Sequence, residues 1–316
     1  MPTRVLLTVD TELLWRHYVR GRGWRENLRL SYEAAGVGVP WQLETLRRHR
    51  LKAVFFVDPM PAEVYGIEPI RRMVEPILAA GQEVQLHLHP WWRSVAQGVA
   101  EGANFELTCF SAPEQQELIA AARDLLVEAG APEPIAFRSG SFAADERTIG
   151  ALRALGFAYD SSHNGSHHPD PSALPLSPAQ IAPVDLDGVI EIPVGQIEDS
   201  PGRLRHLQLC AVSAEEMEAA LVHAQAASHP LVTIVSHGFE LATRDGERPN
   251  RSLCRRFERL CAFLSERRHE LPTAGFADLA ELPLDRSAQP LPARSLRTAR
   301  RMVGQAWSNL VYERTL

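Results

Sequence analysis

The chain reads as an α/β protein with parallel strands. Short β-branched or aromatic runs alternate with longer helical patterns, helix start and stop signals punctuate them, and polar residues recur at every second place as strands end. Strands are predicted near 3-10 (TRVLLTVD), 51-57 (LKAVFFV), 83-89 (EVQLHLH), 134-138 (PIAFR), 156-160 (GFAYD), 189-194 (VIEIPV) and 231-237 (LVTIVSH), with a last short one near 272-276. Helices are predicted near 39-50, 66-80, 112-129, 145-155, 213-228 and 249-269. Ser111 with Glu114 and Ser213 with Glu216 form capping boxes, in which hydroxyl and carboxylate satisfy free amides at a helix start. Gly81, Gly130 and Gly156 stand where helices should stop.

Alternation at this spacing implies helical crossovers between parallel strands, and so a barrel or a doubly wound sheet. A length of 316 residues suits one large barrel or two small domains. No GxGxxG follows a strand and no P-loop is present, which weakens a nucleotide-binding sheet. The long loops near 13-36, 91-110 and 161-186 mostly follow strands, the end at which barrels carry their sites.

With 45% hydrophobic and 23% charged residues, the chain is neither disordered nor fibrous in composition. Its net charge of -6 argues against a nucleic-acid partner. Lys52 is the only lysine, a bias that reflects genome composition rather than function. The opening MPTRVLLTVDTE enters an apolar strand at once, without the h-region of a cleaved export signal, and no apolar run reaches the roughly 18 residues of a membrane span. A cytoplasmic location is therefore expected. Cys109, Cys210, Cys254 and Cys261 contain no CxxC pair and read as reduced structural thiols.

Strand geometry turns alternate side chains to opposite faces. Thr8, Asp10 and Glu12 therefore oppose Val5, Leu7 and Val9, as Glu83, Gln85, His87 and His89 oppose Val84, Leu86 and Leu88. Two carboxylates and two imidazoles emerge from strand ends, and a divalent cation is the economical partner for such N/O donors. Arg138 in FRSGSF ends a third strand, where Gly140 lets the backbone approach a ligand and nearby amides can hold a developing oxyanion. Asp160 in YDSS and His237 in IVSHGFE end two more. Each alone reads as a turn cap, a satisfied turn histidine or chance; their recurrence over five strand ends points to a site.

In this order the motifs resemble those of the polysaccharide deacetylase family, the NodB homology domain, over most of residues 1-280. TVDTE resembles the first motif, EVQLHLHP stands in place of the second, FRSGSF resembles the third, YDSS roughly the fourth and IVSH the fifth. The resemblance implies a distorted (β/α) barrel and a metal-dependent hydrolase that removes an acyl group, acetyl foremost, from an amide nitrogen of an amino sugar. It implies Asp10 as base restrained by Arg138, His237 as acid, and Zn²⁺ or another divalent ion such as Co²⁺, Ni²⁺ or Mn²⁺ as cofactor. Asp160 is expected to keep His237 charged, and the amides near Ser141 and Phe142 to face the oxyanion.

The chain departs from the family pattern in several places. Thr11 follows Asp10 where adjacent aspartates are commonest, so the ligand role passes to Glu12. Trp91 stands four beyond His87, where the second histidine usually falls, so His89 is expected to complete the metal set, with His167 or His168 as substitutes. The usual prolines of the third motif and tryptophan of the fourth are missing. Trp91 and Trp92 are placed either to stack on a sugar ring or to anchor the loop. The expected substrate is intracellular, a small metabolite or a lipid- or nucleotide-linked sugar. Deformylases and cyclic-amide hydrolases share the fold and stay open as alternatives, as does a metal-free barrel acting as a binding protein.

The catalytic barrel is expected to span 1-285. Residues 286-316 add a Pro-containing spacer and a basic amphipathic helix with Leu296, Ala299, Met302, Val303, Ala306, Trp307, Leu310 and Val311 at helical spacing. From Ala288 to Leu316 five Arg face one Glu, a net +4 on an otherwise acidic chain. Docking on the barrel itself or on a homodimer mate is favoured over a membrane surface.

Overall fold

The computed structural model describes residues 2–99, 104–279, 281–284, 286–308 and 312. Its strands are β1 (Arg4–Thr11), β2 (Val54–Val57), β3 (Glu83–Leu88), β4 (Ala136–Ser139), β5 (Tyr159–Asp160), β6 (Val184–Leu186), β7 (Val189–Glu191), β8 (Gln196–Ser200), β9 (Arg203–His206) and β10 (Leu231–His237). Eight join one curled sheet in the order β10-β1-β2-β3-β4-β5-β7-β6, parallel except for the β6–β7 edge, while β8 and β9 form a separate hairpin. The expected barrel is thus open: β10 and β6 are its two edges.

Helices Val39–His49, Glu68–Ala79, Ala112–Glu128, Glu146–Ala154, Ala214–Ala226 and Arg251–Glu266 supply the crossovers, each within three residues of its expected bounds. Both expected capping boxes form. Gly81, Gly130 and Gly156 adopt positive φ, the conformation that ends a helix and that glycine alone takes without strain.

One face of the sheet packs on the helices. On the other, Leu6, Val54, Phe56, Ala136, Tyr159 and Ile192 form an apolar cluster closed off by Ala274 and Phe276. Farther along the same strands this inner face turns polar, yet it stays covered: Asp10 and His87 are each 2% exposed. The alternation in the sequence therefore separates two buried faces, as in other parallel sheets, rather than core from solvent. Parallel register then sets neighbours at the strand ends. Asp10 pairs with His237 across β1–β10, and His87 with Arg138 across β3–β4.

Several expected elements are shorter, and others are additional. The strand expected near 272-276 is one bridge from Thr273 to Val5, followed by a 3-10 turn at Phe276–Asp278. Two hairpins interrupt the strand–helix rhythm. Asp187 and Gly188, both at positive φ, make the tight β6–β7 turn, for which an Asp-Gly pair is a strong sequence signal. The loop near 13-36 holds short helices Trp15–Val19 and Trp24–Leu28, and the one near 91-110 begins with helix Trp91–Ala96.

The C-terminal helix, Ser295–Ser308, packs on this chain's own β8 and on helix Ala214–Ala226. Arg301, with 2% of its side chain exposed, pairs with Asp199 and lies 3.2 Å from Glu216. Thr298 donates to the Asp199 carbonyl at 2.9 Å, while Leu296 and Met302 are exposed. The side chains of Val303, Ala306 and Trp307, and all of Leu310 and Val311, lie outside the described residues. No described helix is long and apolar enough to cross a membrane. Replacing Arg301 by Ala leaves the buried Glu216 without its cation, while Asp199 keeps Arg205, so Arg301→Ala should lose about 3 kcal/mol in urea unfolding. A loss below about 1 kcal/mol, the level of a surface pair, would show that the pair does not hold the helix.

Candidate active site

The site begins with a guanidinium that no water reaches. Arg138, 0% exposed, leaves the end of β4 and directs Nη1 to Asp10 Oδ1 at 2.7 Å and to Thr8 Oγ1 at 2.8 Å. Its Nε donates to the Ser161 carbonyl and its Nη2 to Ser161 Oγ, while the Phe56 ring lies 4.3 Å beneath it. Burial alone would raise the Asp10 pKa; the charge of Arg138, foremost among its neighbours, more than reverses this and keeps Asp10 ionised.

The Arg138 carbonyl lies 2.7 Å from His87 Nδ1. A carbonyl can only accept, so Nδ1 carries the proton and Nε2 keeps its lone pair. Burial, reinforced by the charge of His89, pushes His87 down to about 4 and so keeps it neutral. His89 follows the last residue of β3, and its Nε2 lies 2.8 Å from Glu12 Oε2. Burial opposes both charges, but mutual attraction wins: Glu12 falls to about 2 and His89 rises to about 9. Glu12, His87 and His89 each present a donor atom, all within 4.8 Å of one another. One carboxylate and two imidazoles in this arrangement fit a divalent transition metal. His167 and His168 are not needed to complete the set.

Gly140 has a different role from the one expected of it. A Cβ there would stand 2.4 Å from His89 Nδ1, so the missing side chain makes room for the His89 ring rather than for an incoming ligand. Ser141 and Phe142 follow with φ of 56° and 60°, left-handed values that are strained for residues with a Cβ. Both line a cavity of about 510 Å³ that also meets Asp10, Glu12, His89 and His237.

His237, at the end of β10, places Nε2 3.7 Å from Asp10 Oδ2 and Nδ1 2.7 Å from Glu240 Oε1. Burial would lower its pKa, but Glu240, then Asp10 and Glu12, push it up to about 9. The acid expected to do this, Asp160, does not. It is fully buried, accepts from Ser162 Oγ at 2.6 Å, and lies beside Glu191 in the β5–β7 register. Burial raises the pKa of both carboxyls, and their repulsion favours a shared proton. Glu240, three residues beyond His237 in HGFE, is the acid that sequence reasoning missed, and it missed too the Gln208 amide that donates to it.

Trp91 and Trp92 correct a second expectation, being 3% and 1% exposed and packed with Tyr18 and Tyr65. They anchor the loop and offer no open ring face. The aromatics left open above them are Trp15 and Phe105, 44% and 40% exposed, their rings 5.2 Å apart, and Phe105 adjoins Glu106 on the cavity wall.

No sequence-family model matches the chain, and no curated protein sequence matches it. Solved structures do. A Mycobacterium smegmatis protein assigned as a polysaccharide deacetylase is 19% identical, with TM-score 0.57, covering 92% of this chain and 94% of that one. A 4-alpha-glucanotransferase from Thermococcus litoralis is 11% identical, with TM-score 0.55, covering 90% of this chain and 42% of that one. A more distant match, a family 4 carbohydrate esterase from Streptomyces lividans, is 13% identical with TM-score 0.44 over 91% of this chain and 98% of that one. The likeness to the Mycobacterium smegmatis structure establishes the fold: a curled α/β sheet of the deacetylase (β/α)-barrel type.

The close contact at Gly140 gives a direct test of the metal set. Gly140→Ala should displace His89 and weaken Co²⁺ or Zn²⁺ binding by about tenfold or more, with the far-ultraviolet circular dichroism unchanged. Metal affinity equal to that of the wild type would remove His89 from the set.

Proposed function

We propose that the chain is a metal-dependent hydrolase that removes an acyl group, acetyl foremost, from the amide nitrogen of an amino sugar. One observation carries this reading. Asp10 and His237 stand 3.7 Å apart on a cavity shared with Glu12, His87 and His89, and their surroundings push them to opposite protonation states. A carboxylate held ionised beside an imidazole held protonated is the pairing that a base and an acid require.

Glu12, His87 and His89 would hold a divalent ion such as Zn²⁺ or Co²⁺, which would supply Lewis acidity toward the amide carbonyl and the attacking water. Asp10, fixed by Arg138, takes a proton from that water as its oxygen bonds the acyl carbon. Backbone N–H groups of Ser141 and Phe142, on the cavity wall, steady the oxyanion. His237 gives its proton to the nitrogen as the C–N bond breaks, leaving a carboxylic acid and a free amine. Glu240 keeps that proton available and holds the ring's orientation through Nδ1. Trp15 and Phe105 offer the sugar a ring face at the rim.

Three measurements test the reading against N-acetylated amino sugars. Chelation should abolish turnover, and Zn²⁺ or Co²⁺ should restore it; activity that survives complete metal removal contradicts the proposal. Asp10→Asn should keep its metal and lose about 10²–10⁴-fold in kcat. Unchanged turnover would take the base role from Asp10. Because His237 is protonated below its raised pKa of about 9 and neutral above it, kcat/KM should fall as pH rises through about 9. In Glu240→Gln the charge that opposes burial is gone, so this alkaline limb should move to lower pH. A limb that stays in place would show that Glu240 does not set the state of His237.

A further inference from the structure

A second cavity, of about 480 Å³, lies between the β8–β9 hairpin and residues 165–168. It shares His167 and His206, whose rings are 5.1 Å apart, with the wall of the reaction cavity, so the two are adjoining lobes. Arg203, Arg205 and His168 line this second lobe, and among the described residues no Asp or Glu does.

Asp199, on the paired strand β8, is oversubscribed. It receives Arg205 Nη2 at 3.1 Å, lies 3.9 Å from Arg203 Nε, and is also paired with Arg301. Arg301 has Glu216 as well, so three guanidinium groups meet two carboxylates. Arg205 Nε is buried with no hydrogen-bond partner among the described residues, and a buried donor left unsatisfied costs stability. The lining thus carries two guanidinium groups, Arg203 and Arg205, that share the single carboxylate of Asp199. A guanidinium presents its N–H groups in a planar fork that matches phosphate oxygens. A volume in the range of small-molecule pockets admits a diphosphate and part of what it carries, whereas a lone carboxylate would leave it mostly unfilled.

We infer that this lobe binds the phosphoryl portion of the substrate, which makes the substrate class a phosphorylated N-acyl amino sugar. The inference rests on the hydrolase reading above for the adjoining lobe. Substrate then lies across the His167–His206 boundary, with phosphate on Arg203 and Arg205 and the amide among Asp10, Glu12 and His237.

Titration calorimetry of the full chain with inorganic pyrophosphate tests the lobe without any turnover. Wild-type protein should bind, and Arg203→Gln and Arg205→Gln should each weaken binding, by about tenfold or more for Arg205→Gln. Arg203, with 74% of its side chain exposed, can be replaced without disturbing the fold, so its variant remains informative if the Arg205 variant is unstable. Glu12→Gln should still bind, which separates this lobe from capture by a metal. Absence of binding, or equal binding by both arginine variants and wild type, overturns the inference. A second arm compares kcat/KM for N-acetylglucosamine 1-phosphate and N-acetylglucosamine. Preference for the phosphate that disappears in Arg203→Gln supports the inference; equal values in wild type overturn it. Arginine-dependent pyrophosphate binding with neither sugar turned over would leave the anion site standing and remove the hydrolase reading.

Discussion

The site depends on one buried ion pair. Arg138 has no exposed surface, and a guanidinium in that position is tolerable only when its donors are used and its charge is opposed. Asp10 opposes the charge; Thr8 and Ser161 take three more of its N–H groups. The same residue's carbonyl fixes the tautomer of His87. Asp10 and His87, the proposed base and one of the proposed metal ligands, are therefore oriented by opposite ends of one amino acid, and β1, β3 and β4 are held in register around it. Misplacing Arg138 would disturb both functions together.

Around that pair the inner face is divided along its length. Apolar residues fill the part nearer the strand starts, and titratable ones gather where the strands end. The division follows from parallel pairing, which brings every strand's C-terminal end to one side of the sheet. It concentrates charge where loops can cover it. Glu12 and His89 are mostly buried there, and their opposed charges strengthen one another as water is excluded.

Much of this was legible in the sequence for simple geometric reasons. Alternation marked the face shared by Asp10 and Glu12, and that shared by His87 and His89, because a strand repeats its direction every two residues. The helices were legible through their caps. What escaped depends on turns and on pairing across distance. Glu240 reaches His237 because a 3-10 turn, Gly238–Leu241, folds the chain back, and no periodicity announces that. Asp160 sits at a strand end like the others, but its strand spans two residues, and the carboxyl meets Glu191 instead of the cavity. Trp91 and Trp92 look like a sugar platform only until Tyr18 and Tyr65, distant in sequence, cover them. The hairpin arginines carried no motif at all; their meaning comes from Asp199 and from a helix a hundred residues onward.

The pairing of Asp10 with His237 in adjacent parallel strands has a consequence for how such a protein can change. Their separation is set by the pitch of the sheet, a dimension that backbone hydrogen bonding holds nearly constant whatever side chains surround it. The surrounding loops carry no share of that distance. They can lengthen, acquire a hairpin or exchange one cap for another, and the backbones of Asp10 and His237 stay at the same spacing. Chemistry is anchored in the invariant lattice, and recognition is left to the parts free to drift.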